Sequence, residues 1–178
     1  MKKVLAISSS PRRGGNSDKL ADAFCRGAAE SGNSVSKVRL SEKNIGYCDA
    51  CRFCRSSGGV CKKADDMQDI LSAIIDADVI LLATPLYFYS VSAQLKTAID
   101  RCYPRWRDIK NKDFYFIVTA AEKDPECANG ALATLRGFLD CCEGSVERAA
   151  VFAGGMYDIA SEGSEYEAKL YEIGKNLK

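Results

Sequence analysis

Cys48, Cys51, Cys54 and Cys61 stand within fourteen residues, at spacings of x2, x2 and x6. Thiolates grouped this tightly hold a metal centre or carry out redox chemistry. The chain has nine cysteines in 178 residues and no histidine. Any catalysis therefore proceeds without an imidazole base, which argues against His-dependent hydrolase mechanisms. Cluster ligation needs four thiolates that converge, and an x2, x2 loop supplies three at little chain-closure cost. In ferredoxin-type runs the fourth cysteine serves a second cluster. Here Cys61 is close enough to serve the same one, with Gly58-Gly59 letting the chain turn back. Zinc sites more often use two separated cysteine pairs. Three readings stay open on the residues alone: an iron–sulfur cluster, free or disulfide-linked redox-sensing thiols, and zinc.

A second constellation could bind an anion. Ser8-Ser9-Ser10-Pro11-Arg12-Arg13-Gly14-Gly15-Asn16-Ser17 joins hydroxyls, small residues and positive charge. It runs into an expected helix start, where free N–H groups and the helix dipole favour a phosphate. Ser8, Ser10 and Ser17, with the Asn16 amide, can wrap such a group, and Arg12 or Arg13 can add charge. Neither G-x-x-x-x-G-K-[ST] nor G-x-G-x-x-G occurs, so the usual triphosphatase and dinucleotide loops are absent. The plainer alternative is an ordinary Ser/Gly/Pro loop with Ser17 as a simple N-cap. A third segment, Thr84-Pro85-Leu86-Tyr87-Phe88-Tyr89-Ser90, offers backbone N–H groups and aromatic surface to a planar ring. Packing on a neighbouring helix or a subunit interface is the competing role for its aromatics.

The elements that must position these groups follow from hydrophobic spacing. Val4 to Ile7 reads as a buried strand, Val79 to Ala83, Phe114 to Thr119 and Val146 to Phe152 as further strands, and Ser34 to Leu40 as a strand at an edge. Leu20, Phe24 and Ala28 mark a helix that begins near Asn16-Ser17. Met67, Ile70, Leu71 and Ile74 mark a second, whose N-terminal Asp65-Asp66 suits the helix dipole. Further helices carry Val91, Leu95, Ile99 and Cys102, then Leu132, Leu135, Leu139 and Cys142, then Tyr166, Leu170, Ile173 and Leu177. Five strands alternating with helices predict an α/β fold: a flavodoxin-like doubly wound five-stranded parallel sheet of order 2-1-3-4-5. Residues 1–178 form one domain, with the cysteine-rich loop at about 41–63 inserted after strand 2; a loop this long is usually functional. Strands 1 and 3 flank the topological switch point, so the Ser8–Ser17 and Thr84–Tyr89 segments meet at one crevice. A planar ring with a phosphate tail, such as FMN, suits that crevice.

These residues resemble a known family. Ser10-Pro11-Arg12-x-x-Gly15-Asn16-Ser17, Thr84-Pro85-Leu86-Tyr87-Phe88 and Ala93-Gln94-Leu95-Lys96-x-x-Ile99-Asp100-Arg101 are similar to the NAD(P)H-dependent FMN reductase group of flavodoxin-like proteins. The cysteine run followed by Asp65-Asp66-Met67 resembles its iron–sulfur flavoprotein branch. The resemblance extends from strand 1 to about Arg101. It implies FMN phosphate on Ser8, Ser10, Arg12, Asn16 and Ser17, and the flavin ring near Pro85, Leu86, Tyr87 and Phe88. Thr119-Ala120 and Gly154-Gly155 would complete the pocket. It implies a [4Fe–4S] cluster on Cys48, Cys51, Cys54 and Cys61. It also implies electron transfer from ferredoxin or NAD(P)H to an acceptor, in a homodimer or homotetramer whose cysteine loop nears another subunit's flavin. A cluster-free NAD(P)H-dependent FMN or quinone reductase is the alternative, and a zinc-binding or thiol-sensing protein a further one.

The rest of the chain bounds this reading. A formal net charge of +1 from 25 basic and 24 acidic residues argues against a nucleic-acid partner. Val4 to Ile7 is too short for a signal segment, and no stretch reaches transmembrane length, so a cytoplasmic protein is expected, without membrane association. Cys25, Cys102, Cys141 and Cys142 fall in helical patterns and are expected to be inert. Cys127 lies in a loop and is a candidate reactive thiol. Arg101 to Arg107, around Trp106, reads either as a solvated helix end or as a subunit contact or flavin cover, with Trp106 as anchor.

Overall fold

In the computed structural model, which describes residues 1–158 and 164–177, five parallel strands form one sheet in the order β2-β1-β3-β4-β5. The strands are β1 (Lys3–Ser8), β2 (Ser34–Arg39), β3 (Val79–Pro85), β4 (Asp113–Thr119) and β5 (Val146–Ala153). The expected flavodoxin-like topology is therefore found. The helices are α1 (Asn16–Glu30), a single turn α2 (Phe53–Ser56), α3 (Met67–Asp76), α4 (Ala93–Asp100), α5 (Asn129–Asp140) and α6 (Glu165–Lys175).

Strand alternation sends successive side chains to opposite faces. Val4, Ala6, Leu81 and Ala83 meet Leu20, Phe24 and Ala28 of α1 and Leu170 of α6 on one face. Leu5, Ile7, Ile80, Leu82, Phe114 and Phe116 meet α3, α4 and α5 on the other. Burial on both faces explains why the central strands read as continuous apolar runs. Strands β2 and β5 are the two edges, and most of their residues are half-exposed or exposed.

The sheet's carboxyl edge is built from polar groups that mutually satisfy one another. The Ser9 amide and hydroxyl both donate to the Ala83 carbonyl, at 2.9 and 3.1 Å. The Ser92 hydroxyl donates to the Ser9 carbonyl at 3.3 Å and accepts from Leu95 N–H at 3.4 Å, which caps α4. The Ser92 amide donates to Thr84 Oγ1 at 3.0 Å. Ser9, Thr84 and Ser92 are buried. Together they fix the tips of β1 and β3 and the start of α4, the frame of the crevice.

Candidate functional site

The loop from β1 to α1 is a cradle with an open N-terminal end. Gly15 occupies the N-cap position of α1 and has no side chain to cap it. Ser17, expected to hold the phosphate, sits in the first turn and is not the N-cap of the plainer alternative. Its hydroxyl is buried and has no hydrogen-bond partner. A buried hydroxyl left unpaired is costly, so this position fits a ligand acceptor. Gly15 cannot carry a side chain here, because a Cβ would lie 2.5 Å from Ser10 Oγ and 3.2 Å from the Arg12 carbonyl. Ser10 Oγ accepts from Arg12 N–H at 3.2 Å and donates to the Arg12 carbonyl at 2.9 Å, closing a tight turn.

Ionic contacts brace this cradle from beneath. Asp18, on the first turn of α1, accepts from Gly14 N–H at 3.0 Å. Lys37 lies 2.7 Å and Arg39 3.2 Å from its carboxylate. Burial pushes the Asp18 carboxyl up, but the contacts from Lys37 and Gly14 outweigh it and hold the carboxyl below its ordinary value. The Ser8 hydroxyl, on the strand face toward α1, is buried without a hydrogen-bond partner. It lies under the loop and does not line the crevice.

The crevice has a volume of about 160 Å³ and is lined by Ser10, Arg12, Asn16, Ser17, Pro85, Leu86, Tyr87, Thr119, Ala120, Ala121 and Met156. The structure thereby brings together most of the residues expected from sequence. Arg12 lines the crevice, while Arg13 pairs with Glu42 and points elsewhere. The Asn16 side chain donates to the Met156 and Asp158 carbonyls, at 3.1 and 3.0 Å, and so pins the turn after β5 to the cradle. Leu86 N–H donates to the Thr119 carbonyl at 2.8 Å. Beyond it, Tyr87 and Ser90 pair across a tight turn. Phe88 and Tyr89 sit at positive φ, 48° and 61°, and Phe88 is fully exposed. Phe88 does not line the crevice. Non-glycine residues held in this region mark functional turns more often than ordinary loops.

The cysteine loop leaves β2 at the same sheet edge. Its two ends are zipped together. Asn44 N–H donates to Asp66 Oδ2 at 2.6 Å, Gly46 N–H to Asp65 Oδ2 at 3.0 Å, and Asp66 N–H to the Asn44 carbonyl at 3.1 Å. The acidic pair expected to serve the α3 dipole therefore closes the loop's base as well. Inside the loop, Ala50 and Arg52 hold φ of 52° and 60° on either side of Cys51, and Gly58 and Gly59 turn the chain back. Asp49 lies 3.2 Å from Lys62 and 3.6 Å from Lys63, joining the two halves. The neighbouring Cys51 thiol and Lys62 ammonium pull its carboxyl down to about 2.

Cys48, Cys51, Cys54 and Cys61 all line one cavity of about 380 Å³. All four are free thiols, with no disulfide between them. Four thiols around one cavity, beside the Asp49 and Asp100 carboxylates, fit a thiolate-ligated centre. Among the described residues, no three cysteine or carboxylate side chains converge at metal-ligand distance. The cavity and the crevice share no lining residue.

Three expectations are corrected. Arg101, expected at a solvated helix end, is 2% exposed. Cys127 is buried in a short helical turn before α5, and burial raises its thiol, so it is no reactive loop cysteine. Cys141, expected to be an inert helical residue, is exposed. Cys25 and Cys142 do conform, with burial pushing each thiol up to about 12. Trp106 is half-buried, with the Arg107 guanidinium 5.1 Å from its ring centroid.

A doubly wound parallel sheet with an anion cradle at its switch point, beside an aromatic turn, defines a flavodoxin-like flavoprotein. The sequence profile of the NADPH-dependent FMN reductase family matches residues 2–153, and the chain belongs to that family of oxidoreductases. It is 40% identical over 102 residues to an iron–sulfur flavoprotein of Archaeoglobus fulgidus, covering 57% of this chain and 46% of that one. Identity to the iron–sulfur flavoprotein of Methanosarcina thermophila is 37% over 99 residues, 56% and 51% of the two chains. The chain thus spans about half the length of the curated relatives it matches. The NAD(P)H:quinone oxidoreductase from Methanothermobacter marburgensis superposes with a TM-score of 0.77 at 18% identity, covering 99% of this chain and 96% of that one. An azoreductase from Bacillus anthracis superposes with a TM-score of 0.79 at 16% identity, covering 99% and 100%. At such identities these two structures speak to the fold.

Proposed function

We propose that this chain binds FMN at the β1–α1 cradle, ligates a [4Fe–4S] cluster with its four clustered cysteines, and passes electrons between a donor and an acceptor. The observation that carries the reading is the pairing of two prepared sites in one chain. One is an uncapped helix N-terminus with the buried, unpartnered Ser17 hydroxyl. The other is a cavity lined by all four thiols. The α1 amides, the Ser10 and Ser17 hydroxyls and Arg12 would hold the phosphate. Pro85, Leu86 and Tyr87 would meet the ring, with Asn16 keeping the turn after β5 in place. The crevice, at about 160 Å³, is smaller than the ~300–1,000 Å³ of pockets that enclose a ligand. It suits the phosphate and one ring edge and leaves a ring face accessible to a donor. When bound, FMN supplies two-electron hydride chemistry and one-electron release, and the cluster supplies one-electron steps. Hydride transfer to a flavin asks no protein acid or base, in keeping with a chain that has no histidine.

NAD(P)H or ferredoxin is the donor in this account, and the protein works in the cytoplasm as a homodimer or homotetramer. The separation of the two cavities supports an assembly in which a cysteine loop serves another subunit's flavin. The fully exposed Phe88 supports it too. A second reading, a cluster-free NAD(P)H-dependent FMN or quinone reductase, is favoured by the lack of convergence among the thiols. Iron, acid-labile sulfide and flavin analysis of anaerobically purified protein separates the two. About four irons per chain with FMN supports the first reading, and flavin without iron supports the second. Zinc without flavin would overturn both.

A further inference from the structure

Arg101 is an anomaly of the cysteine region. It ends α4, yet it is 2% exposed and ranks among the largest fully buried side chains. Its Nη1 and Nη2 grip the Asp65 carboxylate at 2.7 and 2.9 Å, and Nη1 also donates to the Gly46 carbonyl at 2.5 Å. Asp65 in turn accepts from Gly46 N–H at 3.0 Å and Met67 N–H at 3.2 Å. One guanidinium therefore holds Gly46, two residues before the cysteine run, and Asp65, four residues after it. Arg101 also lines the cysteine cavity, and its Nε is buried without a hydrogen-bond partner. A buried cation keeps such a donor unpaired at high cost unless something completes it. Arg101 and Cys61 line both this cavity and a smaller adjoining one of about 150 Å³.

We propose that Arg101 is the positioning residue of the cysteine site: with Asp65 it locks the loop's two ends, and it sets a fixed, desolvated positive charge against the Cys61 side of the cavity. This rests on the reading that the four thiols hold a cluster. The other cations at the cavity carry less weight. Arg52, Arg55, Lys62 and Lys63 are all more exposed than Arg101, so solvent screens them more, although Arg101 too has a carboxylate partner in Asp65. A buried positive charge acts in a lower dielectric than a solvated one, so its effect on a neighbouring anionic centre is larger. It favours the state that carries the extra electron. Arg101 should thus raise the reduction potential of a bound centre as well as fix its ligands.

The test compares the full-length wild type with Arg101→Gln, Arg101→Lys and Asp65→Asn, all purified anaerobically. FMN content reports that each variant is folded. In Arg101→Gln the ratio of reduced to oxidised cluster at fixed ambient potential should fall roughly tenfold, equivalent to about 59 mV for a one-electron centre. Arg101→Lys should recover most of that potential, because the charge returns, while still losing iron on dilution, because the bidentate fork does not. Asp65→Asn should lose iron without any fall in potential. Cleavage by trypsin at Lys62 or Lys63 in iron-free protein should be faster in both Arg101→Gln and Asp65→Asn than in the wild type. Equal potentials in wild type and Arg101→Gln, or in Arg101→Gln and Arg101→Lys at the lowered value, would overturn the electrostatic role. Unchanged cleavage would overturn the lock. A wild type that binds no iron would instead refute the cluster reading, and the cleavage comparison would still decide whether Arg101 orders the loop.

Discussion

Substitution of Gly15 by alanine should weaken flavin binding while leaving the fold intact. Gly15 has φ −66° and ψ 165°, a conformation that alanine adopts without strain. Any effect must therefore come from the added methyl group. That methyl would sit 2.5 Å from Ser10 Oγ and 3.2 Å from the Arg12 carbonyl, against 3.4 Å for ordinary contact. Ser10 Oγ is the atom that closes the turn with Arg12, at 2.9 and 3.2 Å, so it cannot retreat without breaking those bonds. Two hydrogen bonds of about 0.5–1.5 kcal/mol each are at stake, or about 1–3 kcal/mol. If binding FMN requires the turn re-formed, Kd rises by roughly 5- to 150-fold. Quenching of flavin fluorescence on titration into the apo-protein measures it, and thermal unfolding of the same samples checks the fold. Ser10→Ala removes the clashing oxygen, so Gly15→Ala/Ser10→Ala should recover part of the loss relative to the sum of the single changes. An FMN affinity for Gly15→Ala within twofold of wild type would refute the cradle as the phosphate site.

Other predictions follow from the same geometry. Ser17→Ala deletes a buried, unpartnered hydroxyl; the apo-protein should be as stable as wild type or slightly more so, while FMN binds about 5–10-fold more weakly, a loss of about 1 kcal/mol. Calorimetry that showed lost stability with unchanged affinity would contradict this. Asp18 and Asp65 are both held below the ordinary carboxylate value of 3.8. Their contribution to stability is fully present above that pH and is lost as pH falls through their lower folded-state values, with a slope of at most about 1.4 kcal/mol per pH unit for each proton. Urea unfolding midpoints should be flat near neutrality and drop in acid, more shallowly in Asp65→Asn; a decline that begins above about pH 6 would contradict the assignment. In iron-free protein, iodoacetamide should label the exposed Cys48, Cys51 and Cys141 first, and reach Cys25, Cys102, Cys127 and Cys142 only on unfolding. Mass spectrometry of timed samples would read the order, and Cys102 reacting as fast as Cys141 would be inconsistent with the structure.

The sheet and its helices were legible because their information is local. Residues such as Leu5, Ile80 and Phe116 are buried on strands covered on both faces, and that produces unbroken apolar runs. The anion cradle was legible for a similar reason: its residues follow one another between β1 and α1. What stayed hidden depends on partners distant in sequence. Nothing near Asp18 announces Lys37 and Arg39, which reach it from β2. The Asn16 side chain has its partners at Met156 and Asp158, some 140 residues on. Arg101 looked like the polar end of an amphipathic helix. Its burial follows from Asp65, which the cysteine loop carries back to the end of α4. Ser8 follows Val4 and Ala6 on the strand face toward α1, an alternation the loop sequence alone does not display, and it does not line the crevice. Cys127 reads as a loop residue, and only the packing of the turn before α5 buries it.

The central claim is that one chain holds FMN and a thiolate-ligated cluster at separate, independently built sites. The most direct measurement is the iron, sulfide and FMN content of anaerobically purified wild type beside Cys51→Ala. The account predicts about four irons and matching sulfide with FMN in the wild type, and loss of the iron with FMN retained in Cys51→Ala. Wild-type protein that carries FMN but no iron, or a Cys51→Ala variant that loses both together, would contradict it.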